Sequence, residues 1–185
     1  MPAETSGDRS RMSDLVVRRA AVDPAHVAAL AEILLDCVEH GASVGFMLPL
    51  GQQAAEEFWL NTLDSAARGE RIVFVAEEPS TGALLGTVHV ILTSPQNQPH
   101  RGEISKMLVR PSARQRGIAD ALMHAAERAA IEAGKTLLVL DTASEQAERL
   151  YERRGWQRVG VIPRYALRPG GGFVDAVLFY KDLSA

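Results

Sequence analysis

The chain has 185 residues, of which 46% are hydrophobic and 23% are charged, and its net charge is −3 at pH 7. This composition is typical of a globular protein with a sizeable core, and it argues against a general nucleic-acid-binding protein, which would be basic. Because no apolar run reaches the ~18 to 20 residues of a membrane span, we expect no membrane partner. The single cysteine, Cys37, excludes an internal disulfide framework and fits a reducing compartment, so we expect a cytoplasmic protein.

The predicted elements alternate between strands and helices along the chain. Residues 1–12 are polar and without periodicity, which predicts a disordered tail, and residues 13–185 are predicted to form one domain. Apolar runs predict strands, and apolar stripes at helical spacing predict helices. The order is strand 14–20, helix 23–41, loop 41–50, helix 51–69, strands 71–78, 83–93 and 103–110, helix 118–134, strand 136–142, helix 142–155, and strands 156–162 and 173–183. This order predicts a mixed α/β fold with a sheet of about seven strands and about four helices.

The stretch from Val109 to Leu122 gathers positive charge where a helix begins. Backbone N–H groups at a helix start are unpaired and lie at the positive end of the helix dipole. Gly117 allows the backbone to come close to a ligand, and Arg114 and Arg116 add charge. Pyrophosphate is the ligand that this pattern favours, although an ordinary solvated helix start with basic residues has the same composition.

The residues "RQRGIA" (114–119) resemble the R/Q-x-x-G-x-G/A motif of the GCN5-related N-acetyltransferase (GNAT) family, with Ala119 where many members have glycine. The surrounding "EISKMLVRPSARQRGIADALM" is similar to the family's central strand, pyrophosphate loop and helix. Other stretches resemble the tabtoxin-resistance-type acetyltransferases within the family. They are "GASVGFM" (41–47), "ARGER" (67–71), "LLVLDT" (137–142) and "RVGVIPRYALRPGG" (158–171).

The resemblance implies a GNAT-like fold whose sheet is splayed between strands 103–110 and 136–142 to hold acetyl-CoA. The pantetheine would pair with strand 103–110, and a backbone N–H near Leu108 would polarise the thioester carbonyl. The resemblance also implies a homodimer. The residues that it implies for acetyl-CoA are Met107, Leu108 and Val109 along the strand, and Arg114, Gln115, Arg116, Gly117, Ile118 and Ala119 at the pyrophosphate.

Two carboxylates are candidates for the general base of an acetyl transfer to an amine. Asp141 ends a buried strand, at the sheet edge where α/β proteins bind ligands, and a carboxylate at a partly apolar site can take a proton. It can equally cap the next helix or pair with an arginine. Glu103 resembles the family's general-base glutamate, often acting through water, or it is a solvent-exposed strand end. Strand alternation places Glu103 on one face with residues 105, 107 and 109, unless a bulge intervenes.

Tyr151 is the candidate general acid. It lies about two turns into a helix predicted to begin near Thr142, where Thr142 and Glu145 have capping-box spacing. The family commonly places a tyrosine here to protonate the departing CoA sulfur, although the segment after Asp141 is slightly shorter than in the resembled proteins. The alternative is an amphipathic core tyrosine whose hydroxyl reaches the surface.

The acceptor side is predicted from apolar and polar residues in two loops. Ser43, Phe46 and Met47 belong to the apolar loop 41–50, which either walls an acceptor pocket or packs on the core as a lid. Tyr165 is a weaker candidate, in a loop predicted between the final strands. The five histidines are scattered without metal-ligand spacing, so we expect no metal.

These features favour an acetyl-CoA-dependent N-acetyltransferase that acts on a small amine by direct attack in a ternary complex. The resemblance suggests an amino-acid-like acceptor, such as a β-lactam antimetabolite. Two alternatives stay open: a non-catalytic acyl-CoA-binding sensor, and an enzyme that acetylates peptide or protein N-termini.

Overall fold

The computed structural model describes residues 15–184, so the predicted tail 1–12 lies outside the described residues. Seven strands form one mixed sheet, as the sequence predicts, and their order in the sheet is β1-β2-β3-β4-β5-β7-β6. Neighbouring strands are antiparallel except β4 and β5, which are parallel. The strands are β1 (Val16–Arg19), β2 (Arg71–Glu78), β3 (Ala83–Ile91), β4 (Arg101–Val109), β5 (Leu137–Thr142), β6 (Gln157–Leu167) and β7 (Phe173–Asp182).

Four α-helices flank the sheet: α1 (Pro24–Glu39), α2 (Gln52–Ala67), α3 (Ile118–Glu132) and α4 (Glu145–Arg153). Asp23 caps α1 by accepting a hydrogen bond from the backbone N–H of His26, as its position before Pro24 predicts. The predicted capping box of α4 is wrong, because Ser144 is the N-cap and accepts from the N–H of Ala147. None of the helices in residues 15–184 is long and apolar enough to cross a membrane.

The strand β6 is longer than predicted. It continues beside β7 to Leu167, past an irregularity in the pairing between Ile162 and Ala166. Arg164 has a φ of +55° within this irregularity. The prediction that Tyr165 lies in a loop is therefore wrong, since it belongs to the edge strand of the sheet.

Helices cover the two faces of the sheet and enclose two apolar interiors. The alternation along β2 separates them, because Ile72 and Phe74 pack with α3, whereas Val73 and Val75 pack with α1 and α2. The interior beneath α3 also contains residues of β5, α4 and β7. Among the described residues, the interior beneath α1 and α2 contains none from β5 onward.

Strands β4 and β5 pair over only three positions. Arg101, Gly102 and Glu103 of β4 lie opposite residues 137, 138 and 139 of β5. Beyond Glu103, β4 stays paired with β3, and β5 stays paired with β7. The two strands therefore diverge, and the edge of β4 that faces β5 is left without a partner strand from residue 104 onward.

A β-bulge interrupts β4 inside this diverging segment. Thr87 and His89 of β3 pair with Leu108 and Ser105, so β4 has one residue more than its partner there. Lys106, in the bulge, has a φ of +51°, which is rare for a residue other than glycine. The bulge reverses the alternation, since Ile104 packs beneath α3 and Leu108 beneath α1 and α2. The bulge is the exception that the prediction named, so Glu103 and Ser105 do not share one face with Met107 and Val109.

A buried carboxylate fastens α3 to the second half of the sheet. Glu127 of α3 accepts hydrogen bonds from Arg154 at 2.8 Å and from the indole N–H of Trp156 at 2.8 Å, and pairs with Lys181 at 3.0 Å. Burial alone would raise the pKa of Glu127, but these three donors outweigh it and hold the pKa below its ordinary value. The network therefore holds an ionised carboxylate.

Candidate functional site

The divergence of β4 and β5 opens a cleft of about 870 Å³. Its walls come from the end of β4, the start of α3, the end of β5, and α4, with the end of α1 and residues 41–44 at one side. The cleft contains most of the residues predicted for a site. They are Ser43, Met107, Leu108, Val109, Arg114, Gln115, Gly117, Ile118, Ala119, Asp141 and Tyr151.

The start of α3 forms a positively polarised end of the cleft. Gly117 precedes the helix in the left-handed conformation, with a φ of +76°, and Gln115 shares that conformation with a φ of +63°. The first hydrogen bond of the helix runs from the N–H of Ala121 to the carbonyl of Gly117. The N–H groups of residues 118–120 therefore have no partner within the helix and are available to an anion.

The three arginines before α3 have different environments. Arg114 lines the cleft. Arg116 instead forms an ion pair with Glu78 at 2.7 Å and does not line it. Arg110 donates to Glu32 at 2.8 Å and to the carbonyl of Leu84. Arg114 is thus the arginine of this stretch that adds its charge to the cleft beside the helix start.

Asp141 lies near the end of β5, and its exposed side chain lines the cleft. It does not cap α4, because Ser144 does. Within residues 15–184 its carboxylate forms no hydrogen bond and no salt bridge, so the alternative of an arginine partner is not realised there. Asp141 is therefore a carboxylate whose oxygens can accept from a ligand.

Tyr151 is 4% exposed and faces the cleft from α4. Its ring packs against Trp156 and Phe179, with ring centroids 5.9 and 5.8 Å away. Burial raises the pKa of its hydroxyl above the ordinary value, and the charge of Asp141 raises it further. Tyr151 is therefore a neutral phenol at physiological pH and can donate a hydrogen bond or a proton.

Glu103 lies where β4 and β5 separate, two residues inside β4, and is half-buried. It is therefore not the exposed strand end of the alternative interpretation. It does not itself line the cleft. Any action of its carboxylate on a ligand in the cleft would thus need an intervening water, as the family resemblance implies.

Of the four residues predicted on the acceptor side, only Ser43 lines the cleft, and its hydroxyl donates to the carbonyl of Leu167 at 3.2 Å. Phe46 packs edge-on against Phe58 at 5.1 Å between ring centroids, in the interior beneath α1 and α2. Met47 and Tyr165 are exposed and lie outside the cleft. The loop 41–50 thus serves partly as a covering that packs on the core.

Cys37 and Lys106 are among the cleft residues that were absent from the predicted site. Cys37 donates its thiol to the carbonyl of Val109 at 3.4 Å, and burial raises its pKa to about 11, so it is a neutral thiol. Lys106 occupies the bulge of β4 and lines the cleft. The one available signal for Lys106 was a lysine inside the otherwise largely apolar stretch "ISKMLV".

A comparison of the sequence with protein families identifies one family whose model covers the elements that form the cleft. The Acetyltransferase (GNAT) family model matches residues 28–156, which include β4, the start of α3, β5 and α4. The chain belongs to the GNAT family. The family resemblance of the motif "RQRGIA" is thereby confirmed, and acetyl transfer is the activity of the family.

Solved structures share the fold of this GNAT protein at low sequence identity. An N-acetyltransferase from Staphylococcus aureus Mu50 has a TM-score of 0.78 and 21% identity, over 93% of this chain and 100% of that one. A phosphinothricin acetyltransferase from Sinorhizobium meliloti, in complex with AcCoA, has a TM-score of 0.78 and 19% identity, over 92% of this chain and 89% of that one. A ribosomal-protein-alanine N-acetyltransferase from Brucella melitensis has a TM-score of 0.74 and 23% identity, over 91% of this chain and 99% of that one. These matches establish the fold, and their names span different acceptors.

Proposed function

We propose that this GNAT protein transfers the acetyl group of acetyl-CoA to the primary amine of a small, amino-acid-like molecule, in the manner of the tabtoxin-resistance type. The observation that carries the proposal is the cleft between β4 and β5, whose lining combines the start of α3, with its unpartnered N–H groups, with Asp141 and Tyr151. A pyrophosphate and an acyl-transfer centre require these two features together.

The residues at the start of α3 fit a pyrophosphate. A Cβ atom built on Gly117 would meet nothing within 4 Å, so the approach to the backbone is open. Arg114 adds positive charge, whereas Arg116 is engaged by Glu78 and contributes only at longer range. The free edge of β4 along Met107, Leu108 and Val109 offers backbone groups to the pantetheine amides, as an added strand would use them. Acetyl-CoA supplies the activated acyl group.

In the proposed reaction Asp141 accepts the proton of the acceptor ammonium, directly or through water, and Glu103 assists through water. Asp141 suits this role because none of the described side chains occupies its carboxylate. Tyr151 donates its phenolic proton to the departing sulfur, since its raised pKa keeps it protonated. Cys37 is a neutral, buried thiol, which favours direct transfer over an acyl-enzyme on this cysteine.

A small acceptor is favoured over a peptide by the way in which loop 41–50 is held. Ser43 donates to the carbonyl of Leu167, and the N–H of Leu48 donates to the carbonyl of Pro169 at 2.9 Å. These bonds join the loop to the end of β6 and to the turn that follows it beside the cleft, so an extended chain would have to displace them. Ser43 is the acceptor-side residue of this proposal.

We also propose that the protein acts in the cytoplasm as a homodimer. The outer strand β6 and the start of β7 expose a series of apolar side chains, which a second copy would cover. They are Val159, Val161, Ile162, Tyr165, Leu167 and Phe173.

The experiment has two arms. Acetyl-CoA is expected to raise the melting temperature, because a ligand that binds only the folded state stabilises it. A screen of amino acids, β-lactam amino acids, other small amines and N-terminal peptides then monitors CoA release. Release with small amines supports the proposal. Release with peptides alone favours the peptide-acetylating alternative, and binding without release favours the sensor. Absence of thermal stabilisation by acetyl-CoA would refute all three.

A further inference from the structure

The three lysines of the sequence have different partners. The ammonium of Lys135 donates to the carbonyls of Leu92 and Pro99 at 2.9 and 2.7 Å. That of Lys181 donates to the carbonyl of Arg154 and pairs with Glu127. Lys106 has neither a hydrogen bond nor a salt bridge within the part of the chain that the structure describes. It is also the lysine that lines the cleft.

The backbone holds Lys106 in an unfavourable conformation to place it there. A φ of +51° is strained for a lysine relative to an ordinary strand conformation. Such strain persists only where the surroundings enforce it, and it is concentrated at functional sites. Without the bulge, residue 106 would continue the pairing with β3 and Leu108 would change faces.

The surroundings of the ammonium combine an aromatic wall with nearby carboxylates. The Nζ atom lies 5.6 Å from the centroid of the Phe58 ring, within the range of a cation–π contact. Burial lowers the pKa of Lys106, while the negative charges of Asp141 and Glu103 oppose that shift. These carboxylates act at longer range, since neither forms a salt bridge with Lys106. The hydrogen-bonding capacity of the ammonium is therefore open to a ligand in the cleft.

We propose that Lys106 binds the carboxylate of the acceptor and so selects amines that also carry an acidic group. The cleft then presents a cation and the carboxylate of Asp141 to one small molecule, which is the charge pattern complementary to an amino acid. Lys106 is a specificity-determining residue in this arrangement, and Asp141 receives the amine. The inference rests on the proposed function, because it names the class of acceptor for the same site.

The kinetic test compares L-amino acids with their α-amides, which retain the amine and lose the carboxylate. The wild type is expected to prefer the acid of each accepted pair. Lys106→Met should reduce kcat/KM for the acid by about tenfold to hundredfold, mainly through KM, because a charge-assisted hydrogen bond is lost. It should leave the amide nearly unaffected, and Lys106→Arg should restore part of the preference. Arg128→Met, which removes a charge from an exposed side chain on α3, is the matched control.

A binding test does not depend on turnover. Reductive methylation with isotope-labelled formaldehyde gives one resolvable signal for each of the three lysines, and the Lys106→Met variant assigns the signal of Lys106. We expect accepted amino acids to shift this signal and their amides to leave it in place. Shifts of equal size with acids and amides, no shift with any amino acid of the panel, or an equal loss of kcat/KM for both members of each pair in Lys106→Met would each overturn the proposal. Failure of the acetyltransferase proposal is distinct: no amine releases CoA, and the signal still reports carboxylate binding.

Discussion

Replacement of Gly86 by alanine tests how tightly the sheet holds the cleft-lining part of β4. Gly86 lies in β3 opposite Val109. A Cβ atom built there would be 2.8 Å from the carbonyl oxygen of Leu108, and 3.2 Å from side-chain atoms of both Ile118 and Leu122. The nearest of these atoms is backbone, so the clash cannot be relieved by rotating a side chain. Either β4 or α3 must move.

The expected cost follows from two opposing effects. Overpacking a well-packed interior costs about 1–3 kcal/mol, and the loss of glycine's freedom in the unfolded chain returns about 0.4–1 kcal/mol. The free energy of unfolding of Gly86→Ala should therefore fall by about 1–2 kcal/mol, which in a domain of this size lowers the melting temperature by about 2–8 °C. Since the displaced strand lines the cleft, the affinity for acetyl-CoA should fall as well.

Gly160→Ala is the matched control. Gly160 also lies in a strand, its φ is not positive, and a Cβ atom there would meet nothing within 4 Å. It should leave the melting temperature unchanged or raise it slightly. Urea unfolding and calorimetry with acetyl-CoA measure both effects. A Gly86→Ala protein that unfolds and binds like Gly160→Ala would refute the close-packing argument.

Three further substitutions probe the site and its support. Tyr151→Phe removes the phenolic proton and leaves the ring packing, so kcat should fall by about hundredfold while acetyl-CoA affinity is retained. Gly117→Ala keeps the cleft open but strains a left-handed residue by about 1–2 kcal/mol. The free protein can relieve this strain by leaving the conformation that acetyl-CoA requires, so calorimetry should detect acetyl-CoA binding weakened by about fivefold to thirtyfold. Glu127→Gln should lower the free energy of unfolding at neutral pH by about 2–3 kcal/mol, because three donors lose their ionised partner. The pKa of Glu127 is lower in the folded state, so its contribution is complete above its unfolded pKa of about 4.3 and is lost as the pH falls further.

Each of these outcomes has a contrary result. An unchanged kcat in Tyr151→Phe would remove the general-acid role, and unaltered acetyl-CoA affinity in Gly117→Ala would argue against binding at the α3 start. For Glu127, the wild type and Glu127→Gln should converge in stability over the pH range below the unfolded pKa of about 4.3, because the folded-state pKa is lower. A difference that stays constant through this range would mean that the ionised form is not what stabilises the fold.

The bounds of a strand or helix were predictable from the sequence where the pattern of neighbouring residues alone determines them. The bounds of β2 and the start of α1 agree with the prediction, because an apolar run and an N-cap before proline are local signals. The end of β5 shows the limit. Thr142 has capping-box spacing, but it pairs with Val177 of β7, so the strand continues and Ser144 becomes the cap. A competing long-range pairing overrides the local signal.

The motif predicted where the site lies, but it did not predict which charged side chains are free to act there. The pattern around Gly117 located the helix start, but it could not show that Arg116 pairs with Glu78, which lies 38 residues away. The bulge that presents Lys106 depends on the register between β3 and β4, and the sequence of β4 alone carries no mark of it. Phe46 illustrates the same point, because this loop residue packs against Phe58 of α2.

The separate interior beneath α1 and α2 has an evolutionary consequence. Because none of the described residues from β5 onward enters it, substitutions there can accumulate without disturbing the packing of α4 and β7 around Tyr151. Selection for a new acceptor can therefore remodel α1, α2 and the loop between them while the start of α3 is inherited unchanged. Descendants of one ancestral scaffold could diversify in the molecules they modify and still draw on the same cellular pool of activated acyl groups.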